Sequence, residues 1–132
     1  MSERLTDFDY RRLLELRDGL RRFLRWSEDS ARGAGLTPAQ HQLLLAVRGS
    51  ASPPTIGEVA DHLLLRHHSA VELVDRAERA GLVRRRPDPD DHRVVRLELT
   101  ARGGRQLAAV AALHREELRR LGAELAPLLK GL

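Results

Sequence analysis

The sequence predicts a mainly α-helical fold with one small β-hairpin, and two observations lead to this fold class. Apolar residues recur at intervals of three and four over most of the chain, which is the period of an amphipathic helix. Between residues 82 and 99 the period changes to two, in two short runs separated by the turn-forming stretch 87–91. The 132 residues suffice for one domain, and a 42% hydrophobic share can supply its core.

The first helix is predicted over residues 6–31, and the glycines at positions 33 and 35 end it. Its apolar stripe steps by three and four residues and consists of Leu13, Leu16, Leu20 and Phe23. The second helix begins at Thr37 and Pro38, because threonine supplies a capping oxygen and proline suits the first helical turn. It ends at Gly49.

Two shorter helices and the hairpin come next. A third helix is predicted over residues 56–64, and a fourth begins at residue 67 or 68 and ends at residue 80. Gly81 suits the left-handed position that follows a helix end. Strands over residues 82–86 and 94–99 then form the hairpin.

The last helix is predicted to begin after the capping residue Thr100 and to extend to about residue 125 or beyond. Gly103 lies three residues past the cap and would let this helix approach the preceding elements closely. The apolar stripe alternates steps of four and three residues, which is coiled-coil spacing. It consists of Leu107, Ala111, His114, Leu118, Leu121, Leu125 and Leu128.

Two consecutive short helices followed by a hairpin predict a winged helix-turn-helix, whose second helix enters a DNA major groove while the hairpin, or wing, reaches the flank. This DNA-binding body needs only residues 36–100. The flanking segments 1–35 and 101–132 carry more apolar surface than the body can cover, so we predict that they are the N- and C-terminal dimerisation helices of a two-fold homodimer. The alternative is that these helices pack only on each other. The expected dimer contacts are Leu13, Leu16, Leu20, Leu118, Leu121 and Leu125.

Five stretches, in this order and spacing, resemble the MarR (multiple antibiotic resistance regulator) family of winged helix-turn-helix transcription regulators, and the likeness covers nearly the whole chain. They are Leu36-Thr37-Pro38-Ala39-Gln40, Ile56-Gly57-Glu58-Val59-Ala60, the stretch from Leu73-Val74-Asp75-Arg76 to Gly81-Leu82-Val83, Asp91-His92-Arg93, and Leu99-Thr100-Ala101-Arg102-Gly103. The resemblance implies a homodimeric repressor that binds a pseudo-palindromic site in double-stranded DNA. It also implies that a small aromatic or phenolic ligand releases the DNA.

The fourth helix, which would be the recognition helix, departs from the family pattern. Histidines stand at its start instead of small hydroxyl residues, and Glu72, Asp75 and Glu78 are expected to point outward, where they would repel phosphate. An alternative function follows, namely a protein-interaction module that has lost DNA binding. The residues expected to contact DNA from this helix are His67, His68, Ser69, Val71, Glu72 and Arg76.

The wing supplies the other predicted DNA contacts, which are Arg84, Arg86, Asp91, Arg93 and Arg96. The resemblance implies that Arg93 enters the minor groove, while Asp91 would orient the wing or Arg93. The alternative is that Arg93 only pairs with an aspartate of the turn. On a strand, Arg84 and Arg86 share one face whereas Arg85 takes the other, so not all of these arginines can reach the same phosphates.

The resemblance also implies a ligand crevice between the dimer helices and the winged body. All four aromatic rings lie in the first 26 residues, so a ring that stacks on a ligand would be Phe23 or Trp26. His41 stands where the family often has an aromatic ring, and an imidazole there would receive a carboxylate. The alternative is that Trp26 and His41 are ordinary packed residues of the core.

Other classes of function are disfavoured. The absence of cysteine excludes thiolate metal sites, the histidines at 62, 67 and 68 do not share a helical face, and no catalytic motif is present. We therefore predict that the protein is not an enzyme and that it holds neither a metal nor a cofactor. No apolar run approaches membrane length and the N-terminus is too charged for a signal peptide, so a cytoplasmic protein without membrane partners is expected. Although the chain carries +4, its residues 36–100 are neutral, which predicts modest, wing-led and salt-sensitive DNA affinity.

Overall fold

The computed structural model describes residues 3–132, so Met1 and Ser2, at the start of the predicted N-terminal segment, lie outside the described residues. The predicted mainly α-helical fold with one hairpin is confirmed. In chain order the elements are α1 (Asp7–Gly33), α2 (Pro38–Gly49), α3 (Ile56–Leu63), α4 (His67–Arg79), β1 (Val83–Pro87), β2 (Val95–Leu99) and α5 (Ala101–Leu129).

Threonine side chains cap four of the five helices formed by residues 3–132. Thr6, Thr37, Thr55 and Thr100 each accept a hydrogen bond from the backbone N–H three residues later, which satisfies one of the free N–H groups at a helix start. The caps predicted at Thr37 and Thr100 are therefore confirmed. Helix α4 differs, because Arg66 precedes it and makes no capping hydrogen bond with its side chain.

The core lies where α2, α3, α4 and the hairpin meet, with α5 closing one side. The largest fully buried side chains include Leu43, Leu44, Val59, Val74 and Leu97. On α4 the residues facing this core recur at the helical period predicted from the sequence; they are Ala70, Leu73, Val74 and Ala77. The opposite face of α4 is thereby left to solvent.

The wing is an antiparallel pair in which Val83 opposes Leu99 and Pro87 opposes Val95. Its base is attached to the loop before α3, because the Leu97 N–H donates to the Pro54 carbonyl oxygen at 2.8 Å. Helix α5 then leaves the hairpin in close contact with it. A Cβ on Gly103 would collide with the carbonyl oxygen of Leu82, as expected for a glycine that permits close approach.

The two terminal helices pack on each other within the chain. Gly19 of α1 is buried against Leu125 and Leu121 of α5, and Arg22 Nη2 lies 3.3 Å from Glu124 Oε1. Leu125 is consequently only 7% exposed. Both helices nevertheless leave large apolar side chains in solvent, namely Phe8, Tyr10, Leu13, Leu14, Leu20, Leu24, Leu113, Leu118 and Leu129. Among residues 3–132, no helix combines the length and apolar content that a membrane span requires.

Candidate nucleic-acid interface and neighbouring cleft

The residues predicted to contact DNA from α4 lie on the face turned away from the core. His67, His68, Glu72 and Arg76 are exposed, and Ser69 and Val71 are half-buried. Because Arg66 supplies no side-chain cap, the first backbone N–H groups of α4 have no capping side chain from that residue. The arrangement is compatible with a phosphate at that end of the helix.

Arg85 of β1 neutralises two carboxylates of α4. Its Nη2 donates to Asp75 Oδ1 at 2.6 Å and its Nη1 donates to Glu78 Oε1 at 2.5 Å. The hydrogen bond to Asp75 is the largest cause that raises the pKa of the Arg85 guanidinium above its usual value. Asp75 and Glu78 do face outward, as expected, but their charges are paired with Arg85, which the sequence did not indicate.

Arg85 was not among the predicted site residues, although strand alternation placed it on the face opposite Arg84 and Arg86. That face is turned toward α4, which is why the carboxylates meet it. Glu72 is the remaining acidic residue of the outer face, and no ion pair to it is present in the described part of the chain. The charge that α4 offers to DNA is thus less negative than its composition indicates.

At the wing tip, Asp91 holds Arg93 by both carboxylate oxygens. Arg93 Nε donates to Asp91 Oδ1 at 3.0 Å and its Nη2 donates to Oδ2 at 3.1 Å, while the Arg93 backbone N–H also donates to Oδ1. These hydrogen bonds lower the pKa of Asp91 below its ordinary value. The Arg93 side chain stays 90% exposed, so its guanidinium is paired with Asp91 and is still accessible from solvent.

The other wing arginines have different environments. Arg84 and Arg86 share one face, as predicted, and their Nε atoms lie 3.7 Å and 2.9 Å from Glu98 Oε2, with both side chains more than half exposed. Arg96 is turned inward instead. Its Nε donates to Asp88 Oδ2 at 2.5 Å and its Nη1 donates to the Pro53 carbonyl oxygen at 2.8 Å.

Arg96 thus joins the wing to the loop before α3, and its side chain is only 30% exposed. Asp88, its partner, also accepts from the backbone N–H groups of Asp90 and Asp91, which folds the turn at the wing tip. The hydrogen bond from Arg96 is the largest cause of the lowered pKa of Asp88. This geometry is at odds with the expectation that Arg96 contacts DNA.

Helices α1, α2 and α5 border an open cleft, which we call the interhelical cleft, with a volume of about 780 Å³. Its lining is mostly apolar, and the residues that matter for its chemistry are Phe23, Ser27, His41, His114, Arg115 and Arg119. Two of the three predicted ligand residues, Phe23 and His41, line it. Trp26 does not line the cleft, but its ring stacks on the lining residue Phe23, with the two ring centroids 6.1 Å apart.

Two imidazoles meet in the interhelical cleft. The rings of His41 and His114 have centroids 4.7 Å apart, and His41 is only 7% exposed. His114 Nδ1 donates to the Val110 carbonyl oxygen at 2.9 Å, and its Nε2 lies 2.6 Å from Ser27 Oγ. Burial lowers the pKa of His41, and His114 lowers it further by charge repulsion.

His114 was predicted only as one position of an apolar stripe. A histidine among leucines and alanines at coiled-coil spacing was the available signal that this position faces a polar neighbour. In the described residues, no group of three or more histidine or acidic side chains is placed to hold a metal ion.

Comparisons with known proteins agree with this geometry. The sequence model of the MarR family matches residues 34–94. The HTH-type transcriptional regulator YsmB of Bacillus subtilis, itself uncharacterised, is 38% identical over 65 residues, which cover 49% of this chain and 44% of that protein. The chain therefore spans less than half the length of this relative.

Many solved structures also match, including a DNA complex and a ligand complex. The M. tuberculosis transcriptional regulator MOSR in complex with DNA is 27% identical with a TM-score of 0.63, over 81% of this chain and 77% of that chain. CouR from Rhodococcus jostii RHA1, bound to p-coumaroyl-CoA, is 26% identical with a TM-score of 0.67, over 74% of this chain and 68% of that chain.

Proposed function

The chain belongs to the MarR family of transcription regulators, and from this premise we propose that it is a homodimeric repressor that binds a pseudo-palindromic operator and is released by a small ligand. Each subunit places α4 in a major groove, with half-sites ~34 to 36 Å apart, and its wing on the adjacent minor groove. Members of the family are transcription regulators rather than enzymes, which agrees with the lack of a catalytic motif. A regulator that binds double-stranded DNA is expected in the cytoplasm.

The observation that carries the proposal is the geometry of Arg93. A guanidinium held on Asp91 by two hydrogen bonds, yet 90% exposed at the end of a hairpin, is an oriented cation with no other partner in the described residues. A narrow minor groove concentrates negative potential and attracts such a side chain. MOSR, which is similar to this chain, has been solved in complex with DNA, and this supports a DNA-binding function.

The outer face of α4 is suited to the major groove once Asp75 and Glu78 are paired with Arg85. His67, His68 and the uncapped backbone N–H groups at the helix start approach a phosphate, while Val71, Glu72 and Arg76 face base edges. The reason for the alternative function, an interaction module without DNA binding, was the acidity of this helix. That reason is largely removed by Arg85.

Within the wing, we assign Arg84 and Arg86 to phosphate contacts because both side chains are more than half exposed on one face of β1. Arg96 has a positioning role instead. By holding Asp88 and the Pro53 carbonyl oxygen, it sets the angle at which the wing leaves the body.

Homodimer formation is supported by the apolar face that α1 and α5 leave exposed. Leu13, Leu20 and Leu118 are 39%, 40% and 48% exposed, and such side chains continue along both helices. Exposed apolar side chains repeated along two helices are typical of a protein interface, and a symmetric second copy would bury them. Leu16 and Leu121 lie half-buried at its edge, whereas Leu125 holds α5 on α1 within the chain.

The interhelical cleft is the candidate effector site, since it lies between the helices proposed to dimerise and helix α2 of the winged body. A ligand between these parts changes their relative position and with it the spacing of the two recognition helices. CouR, which is similar to this chain, has been solved bound to p-coumaroyl-CoA, and this supports a small-molecule effector.

Selection from a random duplex library tests the proposed function. Purified protein is incubated with the library at low salt, bound duplexes are amplified and sequenced, and sedimentation velocity gives the oligomeric state of the same sample. We expect a dimer and an enriched inverted repeat whose halves are one helical turn apart. A dimer that enriches no sequence and binds no duplex would support the interaction module instead.

A further inference from the structure

Glu72 is the acidic residue of α4 whose charge the wing leaves unpaired. Helix α4 contains three carboxylates, and two of them, Asp75 and Glu78, are held by Arg85 of β1. Glu72 is exposed, and its side chain has no hydrogen bond or ion pair in the described part of the chain. Its negative charge is therefore presented to whatever the outer face of α4 meets.

Arg76 is the cation best placed on α4 to neutralise Glu72. It follows four residues later, and a glutamate placed four residues before an arginine is a spacing that favours an ion pair on a helix surface. Arg76 is nevertheless exposed, and no ion pair joins it to Glu72 among the described residues. The carboxylate of Glu72 is thus available to a partner outside the chain.

The side chain of Glu72 lies on the face of α4 that the proposed function places in a major groove. The buried residues of this helix define the opposite face, and they are Ala70, Leu73, Val74 and Ala77. Glu72 occupies a central position between the helix ends at His67 and Arg79. A carboxylate at this place faces base edges as well as the phosphates on both sides of the groove.

The major groove accepts a carboxylate only where a base donates a hydrogen bond to it. Phosphates repel the negative charge, and guanine O6, guanine N7 and thymine O4 are themselves acceptors. Adenine offers its N6 amino group but places the acceptor N7 beside it, whereas cytosine offers its N4 amino group with no acceptor on the same edge. Cytosine is therefore the base that suits Glu72 best.

We propose that Glu72 is a specificity-determining residue, which accepts a hydrogen bond from N4 of a cytosine in each half-site of the operator. This assignment rests on the proposed DNA-binding function and adds the identity of a base to it. Glu72 also acts against other sequences, because there the carboxylate meets phosphates and base acceptors without a donor to offset them.

Loss of this carboxylate should move specific and non-specific binding in opposite directions. In Glu72→Ala the affinity for a duplex without the operator should rise by roughly threefold, since a charge that repels phosphate is removed. The preference for the operator over that duplex should fall by about tenfold or more. In Glu72→Gln the amide pairs with adenine N6 and N7, so the preferred base should change from cytosine to adenine. A purely structural role would not change the preferred base.

Parallel selections from a random duplex library test the proposal with the wild type, Glu72→Gln and Glu72→Ala. Glu116→Gln is the matched control, because it removes an exposed carboxylate of α5, outside α4 and the wing. Each cytosine of the wild-type half-site is then changed from C·G to T·A, and fluorescence anisotropy gives the affinities of the wild type, Glu72→Ala and the control. The resulting double-mutant cycles isolate the coupling between one side chain and one base pair.

We expect one cytosine whose replacement weakens binding of the wild type and of Glu116→Gln by about tenfold or more, but weakens binding of Glu72→Ala by less than about threefold. At the same position Glu72→Gln should enrich adenine. Circular dichroism establishes that each variant is folded, and the selected sequence of the wild type is read without any variant.

The proposal is overturned if no cytosine shows this coupling, if both Glu72 variants enrich the same bases as the wild type, or if the wild type prefers another base at the position that responds to Glu72. An inverted repeat that is selected by the wild type but is insensitive to Glu72 rejects only the base assignment. A wild type that enriches no sequence rejects the proposed DNA-binding function as well.

Discussion

Arg85 Nη2 lies 2.6 Å from Asp75 Oδ1, so an ion pair joins β1 of the wing to helix α4. The same guanidinium holds Glu78 with its other terminal nitrogen. Two of the carboxylates that would oppose DNA are thereby neutralised by a residue that does not itself need to touch DNA. The wing and α4 are also fixed relative to each other, which matters for two elements that we propose to enter neighbouring grooves.

Replacing Arg85 by Gln should weaken operator binding by roughly tenfold, because two unpaired carboxylates then face the DNA side of the body. The partly exposed pair should cost only about 1 kcal/mol of unfolding free energy. Fluorescence anisotropy with a labelled operator and chemical denaturation measure the two effects. Combining Arg85→Gln with Asp75→Asn and Glu78→Gln should restore much of the affinity; unchanged affinity in the single variant would contradict this role.

Arg93→Ala should weaken operator binding by roughly tenfold with little change in thermal stability, since the side chain is 90% exposed. Asp91→Asn leaves the arginine in place but removes the charge that holds it, so its effect on affinity should be smaller. The matched control is Arg25→Ala on α1, which removes an exposed arginine far along the chain from the wing. Equal affinities for Arg93→Ala and the wild type would exclude the proposed minor-groove contact.

Neighbouring glycines of α5 offer a test of the close helix approach. Gly103→Ala should destabilise the fold by about 2 kcal/mol or more, because the new methyl group meets the Leu82 carbonyl oxygen. At Gly104 a Cβ has no neighbour within 4 Å, so Gly104→Ala should stabilise by up to about 1 kcal/mol through helix propensity. Denaturant midpoints of the two variants should therefore move in opposite directions. Similar shifts would show that α5 is not held against the hairpin as described.

The lowered pKa of His41 makes stability depend on pH. The unfolded chain binds a proton at the ordinary histidine value of about 6.5, whereas the folded chain binds it only at lower pH. Stability from this residue is therefore present above about pH 6.5 and declines as pH falls below that value. Thermal unfolding between about pH 5.5 and pH 8 should show this decline in the wild type, and His41→Gln should flatten it. A wild-type thermal stability that increases toward acid pH would contradict this prediction.

Local sequence signals predicted most of the fold. Helix starts at Thr37 and Thr100 and the positive φ of Gly81 depend on residues close in the chain, and these predictions hold. The helix-turn-helix order and the hairpin follow from the period of apolar residues. Such features depend on residues only a few positions apart, so a single sequence is sufficient to predict them.

The site was harder to predict because its charges are set by contacts between distant segments. Nothing in the order of residues showed that Arg85 would meet Asp75, or that Arg96 would turn toward the Pro53 carbonyl oxygen. His41 and His114 are likewise brought together only by the packing of α2 on α5. Composition counted these charges correctly but could not tell which of them are paired.

Salt dependence of operator affinity tests the central claim most directly. With the operator obtained by selection, the logarithm of the association constant is measured against the logarithm of salt concentration for the wild type and for Arg93→Ala. We expect a linear decrease with a slope that corresponds to several phosphate contacts, and a slope reduced by about one contact per subunit in the variant. An affinity that stays flat between about 50 and 200 mM salt would contradict the account of a wing-led DNA-binding protein.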